Sequence, residues 1–153
     1  PAWGALRRRP AGVTPDREIL HATCVCVAGR GLLILGPSGS GKSALGLRLL
    51  ALGASLVADD QSEVTMTDGR LIARCPAPIT GLIEARGVGI LRAPAVREAE
   101  VQLVADLGEV EDQRLPPARW ITILGCRVDL VLQPHYAHFP EALMLYLRHG
   151  RQA

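Results

Sequence analysis

Residues 36–43 read Gly-Pro-Ser-Gly-Ser-Gly-Lys-Ser, a complete GxxxxGK[ST] pattern, and few strings of this length constrain a fold so tightly. Its glycines let successive backbone N–H groups turn inward around phosphate oxygens, in conformations that a Cβ obstructs. The pattern demands a strand before it and a helix after it. Leu32–Leu35 supplies a short apolar strand, and the run ALGLRLLAL that follows Ser43 is rich in helix formers and free of β-branched residues. A helix is predicted to start near Gly41 or Lys42 and to close at Gly53, and its first turn adds unpaired N–H donors and a positive dipole end. On this reading Gly36, Pro37, Ser38, Gly39, Ser40, Gly41, Lys42 and Ser43 bind nucleotide phosphates. Lys42 reaches the β- and γ-phosphates and Ser43 ligates Mg²⁺. The alternative is a Gly/Ser-rich turn that holds nothing.

Composition sharpens the point at one residue. Of 17 Lys+Arg, only Lys42 is lysine. A chain that uses arginine at every other cationic position places its single ammonium where a planar guanidinium does not substitute. The net charge of +2 demands no polyanionic partner, and 3% aromatic residues leave no stacking platform for single-stranded nucleic acid. No apolar run reaches the roughly 18 residues needed to span a bilayer, and no secretory signal is legible. Cys24 and Cys26 lie two apart in an apolar run, one face of a buried strand. Cys75 and Cys126 have no zinc-site spacing, so reduced thiols in a cytoplasmic protein are expected.

Along the chain, residues 1–16 are Pro/Gly/Arg-rich, carry Arg7, Arg8 and Arg9, and read as a flexible tail before a catalytic domain over 17–153. Ile19–Val27 is β-prone and pairs as a hairpin with Leu32–Leu35 across the turn residues Ala28-Gly29-Arg30-Gly31. Leu56–Ala58 is a short buried strand. Glu63–Thr67 and Arg70–Cys75 form a hairpin about Asp68-Gly69. Val101–Leu107 and Val128–Leu132 are strands, Arg114–Pro117 is a linker, and Pro140–His149 is a closing helix whose aliphatic stripe is expected at the surface, where copies of the chain could assemble. Hairpins with few helices predict an α/β domain with a mixed sheet, not a doubly wound parallel one.

Leu56-Val57-Ala58-Asp59-Asp60 is an apolar strand ending in two acids. In a nucleotide site one of these carboxylates, Asp59 or Asp60, works near Mg²⁺, while the other accepts a proton from an attacking hydroxyl. A surface Asp-Asp turn is the alternative. For Glu84 the alternative to metal binding is a surface ion pair with Arg86. For His21 it is a packed core histidine.

His21 in a β segment, GPSGSGKS, LVADD after the helix, and IEARGVGIL together resemble the bacterial HPr kinase/phosphorylase family, over roughly His21 to Leu132. The likeness is to its catalytic C-terminal domain, in the short single-domain form of alphaproteobacteria. The resemblance implies a fold similar to the nucleotide-binding core of phosphoenolpyruvate carboxykinases. It implies ATP- and Mg²⁺-dependent phosphorylation of a serine on HPr, the phosphocarrier protein of the sugar phosphotransferase system, and assembly as hexamers. It gives catalytic roles to His21, Lys42 and Asp60, with Asp60 as proton acceptor in phosphorylation and donor in the reverse reaction. Glu84 becomes a second Mg²⁺ ligand beside Ser43, and Arg86 a phosphate or structural contact. The family's basic stretch tied to dephosphorylation has no counterpart in Leu132–His138, which lacks arginine, so the reverse activity needs His135 or His138 in its place. Two other readings remain at this stage. A small-molecule P-loop kinase needs a lid of arginines, for which Arg92 and Arg97 are the candidates, and a nucleotide-binding sensor module needs no proton acceptor.

Overall fold

The computed structural model of the chain describes residues 16–77 and 80–153. The tail expected over residues 1–16 lies outside them apart from Asp16. The described residues form β1 (Arg17–Leu20), β2 (Thr23–Val27), β3 (Arg30–Leu35), α1 (Lys42–Ala51), β4 (Ser55–Ala58), β5 (Ser62–Thr67) and β6 (Arg70–Arg74). There follow β7 (Leu82–Ala85), β8 (Gly89–Arg92), β9 (Glu98–Val110), β10 (Trp120–Ile123), β11 (Cys126–Gln133) and α2 (Phe139–His149). No helix among them is long and apolar enough to cross a membrane.

A nine-stranded mixed sheet runs β1-β5-β6-β9-β3-β2-β4, with β11 also on β9 and β10 on β11. The long strand β9 is its spine. One edge pairs in parallel with β3; the other pairs first with β6, antiparallel, and then with β11, parallel. The hairpin β7–β8 stands apart as a two-stranded sheet. The mixed α/β architecture is therefore the expected one.

Alternation along the strands divides the interior in two. Leu33, Leu35 and Cys24 face a core enclosed by the curl of the sheet, with Val64, Leu71 and Ile123. Leu32, Ile34 and Val25 face a second core under the helices, with Leu49, Leu143 and Leu147. Opposite β3 the phase slips once. Gly31 pairs with Val101 but Leu32 with Leu103, so Gln102 is an extra residue, a β-bulge. Val101 consequently packs into the first core and Leu103 into the second, although both have the same parity.

Three expectations need correction. The β-prone run Ile19–Val27 is two strands, because the chain bends at His21 and Ala22, where the Ala22 N–H leaves for the Asp60 carbonyl at 3.0 Å. Strand β10, which no alternating pattern announced, pairs with β11 through a Leu124-Gly125 turn with φ of 50° and 80°. The apolar stripe of α2 is core, not surface: Leu143, Met144 and Leu147 are buried, and only Leu145 stands out at 62% exposure.

Strand direction assembles the site. β2 runs antiparallel to both β3 and β4, so β3 and β4 point the same way, as does β9. The ends of β3, β4 and β9 and the start of β2 thus meet at one margin of the sheet.

Candidate active site

The phosphate-binding pattern bridges β3 and α1 as its sequence demands. Gly36 has φ 149°, and a Cβ there would lie 2.5 Å from Ser40 Oγ; Gly41, at the N-cap of α1, has φ 97° and opens onto free space. No side chain caps α1 and its first turn holds no acid, so the orphan N–H groups of the helix start and their positive dipole end face the loop. Lys42 is buried, and its ammonium donates to the Gly36 carbonyl at 2.8 Å and the Pro37 carbonyl at 3.1 Å. An ammonium carries three donors, so one is left for an anion.

At the end of β4, Asp59 turns toward the loop. Its Oδ1 accepts the Ser43 hydroxyl at 2.7 Å and the Thr23 hydroxyl at 3.0 Å, and the Glu84 N–H approaches Oδ2 at 3.5 Å. A free-standing Asp-Asp turn would make none of these contacts. Asp60 has φ 67°, a left-handed conformation that Asp tolerates better than most residues. Its Oδ1 lies 3.5 Å from His21 Nδ1, an ion pair in the imidazolium form, and both side chains are 70% exposed. His21 is therefore no core histidine. Glu84 is exposed on β7, which Ile83 anchors against α1, and no ion pair joins it to Arg86 among the described residues.

Nucleotide phosphates fit this arrangement. The loop offers open space at Gly39 and Gly41, a buried cation and a buried Ser40 hydroxyl that has no partner among the described residues. No three His, Cys, Asp or Glu side chains converge on one point among those residues. That suits Mg²⁺, which binds through one or two carboxylates, substrate phosphates and water, not an all-protein cage. The Ser43 hydroxyl and the Asp59 carboxylate stand together here, and Glu84 approaches them through its backbone N–H.

Other candidates fall elsewhere. His138 stacks on Tyr136 with ring centroids 5.3 Å apart, and the His135 N–H reaches Gln133 Oε1 at 3.2 Å; neither bonds to the loop. The pair borders, through His138 and Tyr136, a separate cavity of about 430 Å³ beside the Glu111–Arg119 ion pair. Glu111 is buried, and the double hydrogen bond from Arg119, at 2.9 and 3.0 Å, holds its carboxyl below the usual range. Arg92 and Arg97 flank a segment pinned to β4 by Leu56 N–H to Pro94 O at 2.7 Å and Val96 N–H to Leu56 O at 3.0 Å, which is not how a mobile arginine lid is built.

Two residues escaped the sequence reading. Thr23 reads as an ordinary β-former. Asp106 is fully buried within β9, accepting the Gly108 N–H at 2.8 Å, where the strand passes beside Gly36 and Pro37. A signal existed for it: Leu-Val-Ala-Asp occurs at residues 56–59 and again at 103–106.

The comparisons agree with the geometry. Residues 14–114 match the family described as the HPr Serine kinase C-terminal domain. An HPr kinase/phosphorylase of Cupriavidus necator is 33% identical over 138 residues, covering 82% of this chain and 43% of that protein. One from Clostridium beijerinckii is 41% identical over 148 residues, covering 86% and 49%. The chain thus spans less than half the length of these curated relatives. A solved structure of the Hpr(Ser) kinase/phosphatase from Coxiella burnetii superposes with a TM-score of 0.71 at 28% identity, over 86% of this chain and 94% of that one. With the family model matching most of its length, and with its phosphate loop and paired acids set on one margin of a mixed sheet, the chain belongs to the HPr serine kinase C-terminal domain family.

Proposed function

We propose that this chain is the catalytic part of an HPr kinase/phosphorylase, which uses ATP and Mg²⁺ to phosphorylate a serine of the phosphocarrier protein HPr in the cytoplasm. The observation that carries the reading is the 2.7 Å hydrogen bond from Ser43 Oγ to Asp59 Oδ1, which ties the phosphate loop to the paired acids. The names of the relatives support a protein serine as acceptor.

In this reading the loop N–H groups and Lys42 hold the β- and γ-phosphates. Ser43 and Glu84 hold the magnesium ion, with Asp59 orienting Ser43 from behind; when bound, the ion offsets the negative charge of the transferring phosphoryl group. Asp60 takes the proton of the serine hydroxyl as that oxygen bonds to the γ-phosphorus and the bond to ADP breaks. His21 orients the Asp60 carboxylate from 3.5 Å. The homo-oligomer implied by the resemblance, a hexamer, belongs to the same reading.

The deciding experiment incubates the chain with labelled ATP, Mg²⁺ and purified HPr, beside a panel of small hydroxyl acceptors. Label on an HPr serine is expected, and Asp60→Asn lowers it by about two orders of magnitude with nucleotide binding intact, the scale of a lost general base. Label on a small molecule and none on HPr, or full turnover in Asp60→Asn, overturns the reading.

A further inference from the structure

We propose that Thr23 is a positioning residue: its buried hydroxyl fixes the Asp59 carboxylate in the orientation that the magnesium site requires. The inference rests on the functional reading above. Thr23 opens β2 and is completely buried. The run Thr23-Cys24-Val25-Cys26-Val27 is otherwise apolar, and a valine of the same shape would satisfy the strand. A hydroxyl there has to find an acceptor, and it finds Asp59 Oδ1 at 3.0 Å.

That oxygen is the one that accepts the Ser43 hydroxyl at 2.7 Å. The terminal torsion of an aspartate is broad, so a single donor leaves the carboxylate free to swing. Two hydroxyls arriving from different elements, one from β2 and one from α1, remove that freedom. They leave Oδ2 turned toward Glu84, whose N–H lies 3.5 Å away.

The threonine is itself clamped. Its Cγ2 lies 2.9 Å from where a Cβ on Gly46 would stand, so α1 passes directly over the methyl group and holds the rotamer that aims the hydroxyl at Asp59. The contact thus runs from helix to threonine to carboxylate to Ser43, the residue read as a metal ligand. Partners behind a ligand typically change metal affinity by 10–100-fold.

The test is calorimetry of ADP binding to the whole chain, with Mg²⁺ and with a chelator, for the natural protein, Thr23→Val and Thr23→Ser. Thr23→Val is expected to bind metal-free ADP normally but to lose about 10-fold of the affinity gained from Mg²⁺, while Thr23→Ser keeps most of it. Should Thr23→Val fail to fold, Thr23→Ser is compared with Thr23→Ala, which differs from it only by the hydroxyl; the proposal requires the serine variant to retain the larger Mg²⁺ gain, and equal gains overturn it. An undiminished gain in Thr23→Val, or an equal loss in Thr23→Ser, overturns this inference alone. A natural chain that takes up no ADP overturns the functional reading and this inference with it.

Discussion

The hydroxyl of Ser43 and the carboxylate of Asp59 meet at 2.7 Å, joining the first turn of α1 to the end of β4. Asp59→Asn keeps the size of that side chain and removes its charge. We expect Mg²⁺-dependent nucleotide affinity to fall by about 10–100-fold while metal-free binding stays unchanged, as read by calorimetry with and without chelator. Equal loss under both conditions would mean that Asp59 shapes the loop and not the ion's surroundings.

Lys42 offers its own test, because its ammonium sits inward between two carbonyls, at 2.8 and 3.1 Å. A guanidinium is wider, planar and differently hydrated, and it cannot reproduce an ammonium's compact donation from a buried position to two backbone carbonyls. Lys42→Arg should abolish most phosphotransfer even though the charge is kept. Steady-state turnover near that of the natural protein would remove the argument from the chain's single lysine.

Gly46 tests how closely α1 must approach β2. A glycine inside an exposed helix is usually improved by alanine, by roughly 1 kcal/mol. Here the added methyl would come within 2.9 Å of Thr23 Cγ2, on a buried strand that cannot yield freely. Gly46→Ala is therefore expected to destabilise the fold by about 1–3 kcal/mol, the range for overpacking, as measured by urea denaturation. A rise in the denaturation midpoint would show that the helix moves aside.

The acid limb of stability should report on Glu111. Arg119 and burial act on this carboxyl in opposite senses, and the arginine's hydrogen bonds dominate, so its folded pKa lies below its unfolded one. Such a group stabilises the fold above its unfolded pKa, near 4.3 for glutamate, and that contribution disappears as pH falls through the folded value. Arg119→Gln leaves the carboxylate buried without its counter-ion. Thermal melts should then show a lower Tm at neutral pH and a shallower decline toward acid.

Much of this was legible because the decisive signals are local. The loop, α1 and the Asp68-Gly69 hairpin each announce themselves within a few residues, and the paired acids Asp59 and Asp60 follow a recognisable apolar strand. What stayed hidden depends on distant pairing or on residues used against their habit. Leu124 occupies a left-handed turn position that leucine rarely takes, so the turn, and β10 with it, gave no warning. Thr23 matters only because β2 lies between β3 and β4, an order no periodicity encodes. Asp106 reaches its place because β9 runs parallel to β3 and sets it opposite Leu35, the last strand residue before the phosphate loop, from a segment far away in the chain.

The extra residue in β9 has a bearing on how this domain tolerates length changes. Gln102 is the residue without a partner on β3, so deleting it would join Val101 to Leu103 in regular register and leave both on the faces they now occupy. The same loss at Val104, inside the regular stretch, would turn Ala105 away from the helix side and Asp106 away from its place beside the phosphate loop. The central strand thus carries one expendable residue, at 102, beside neighbours whose loss would turn it inside out.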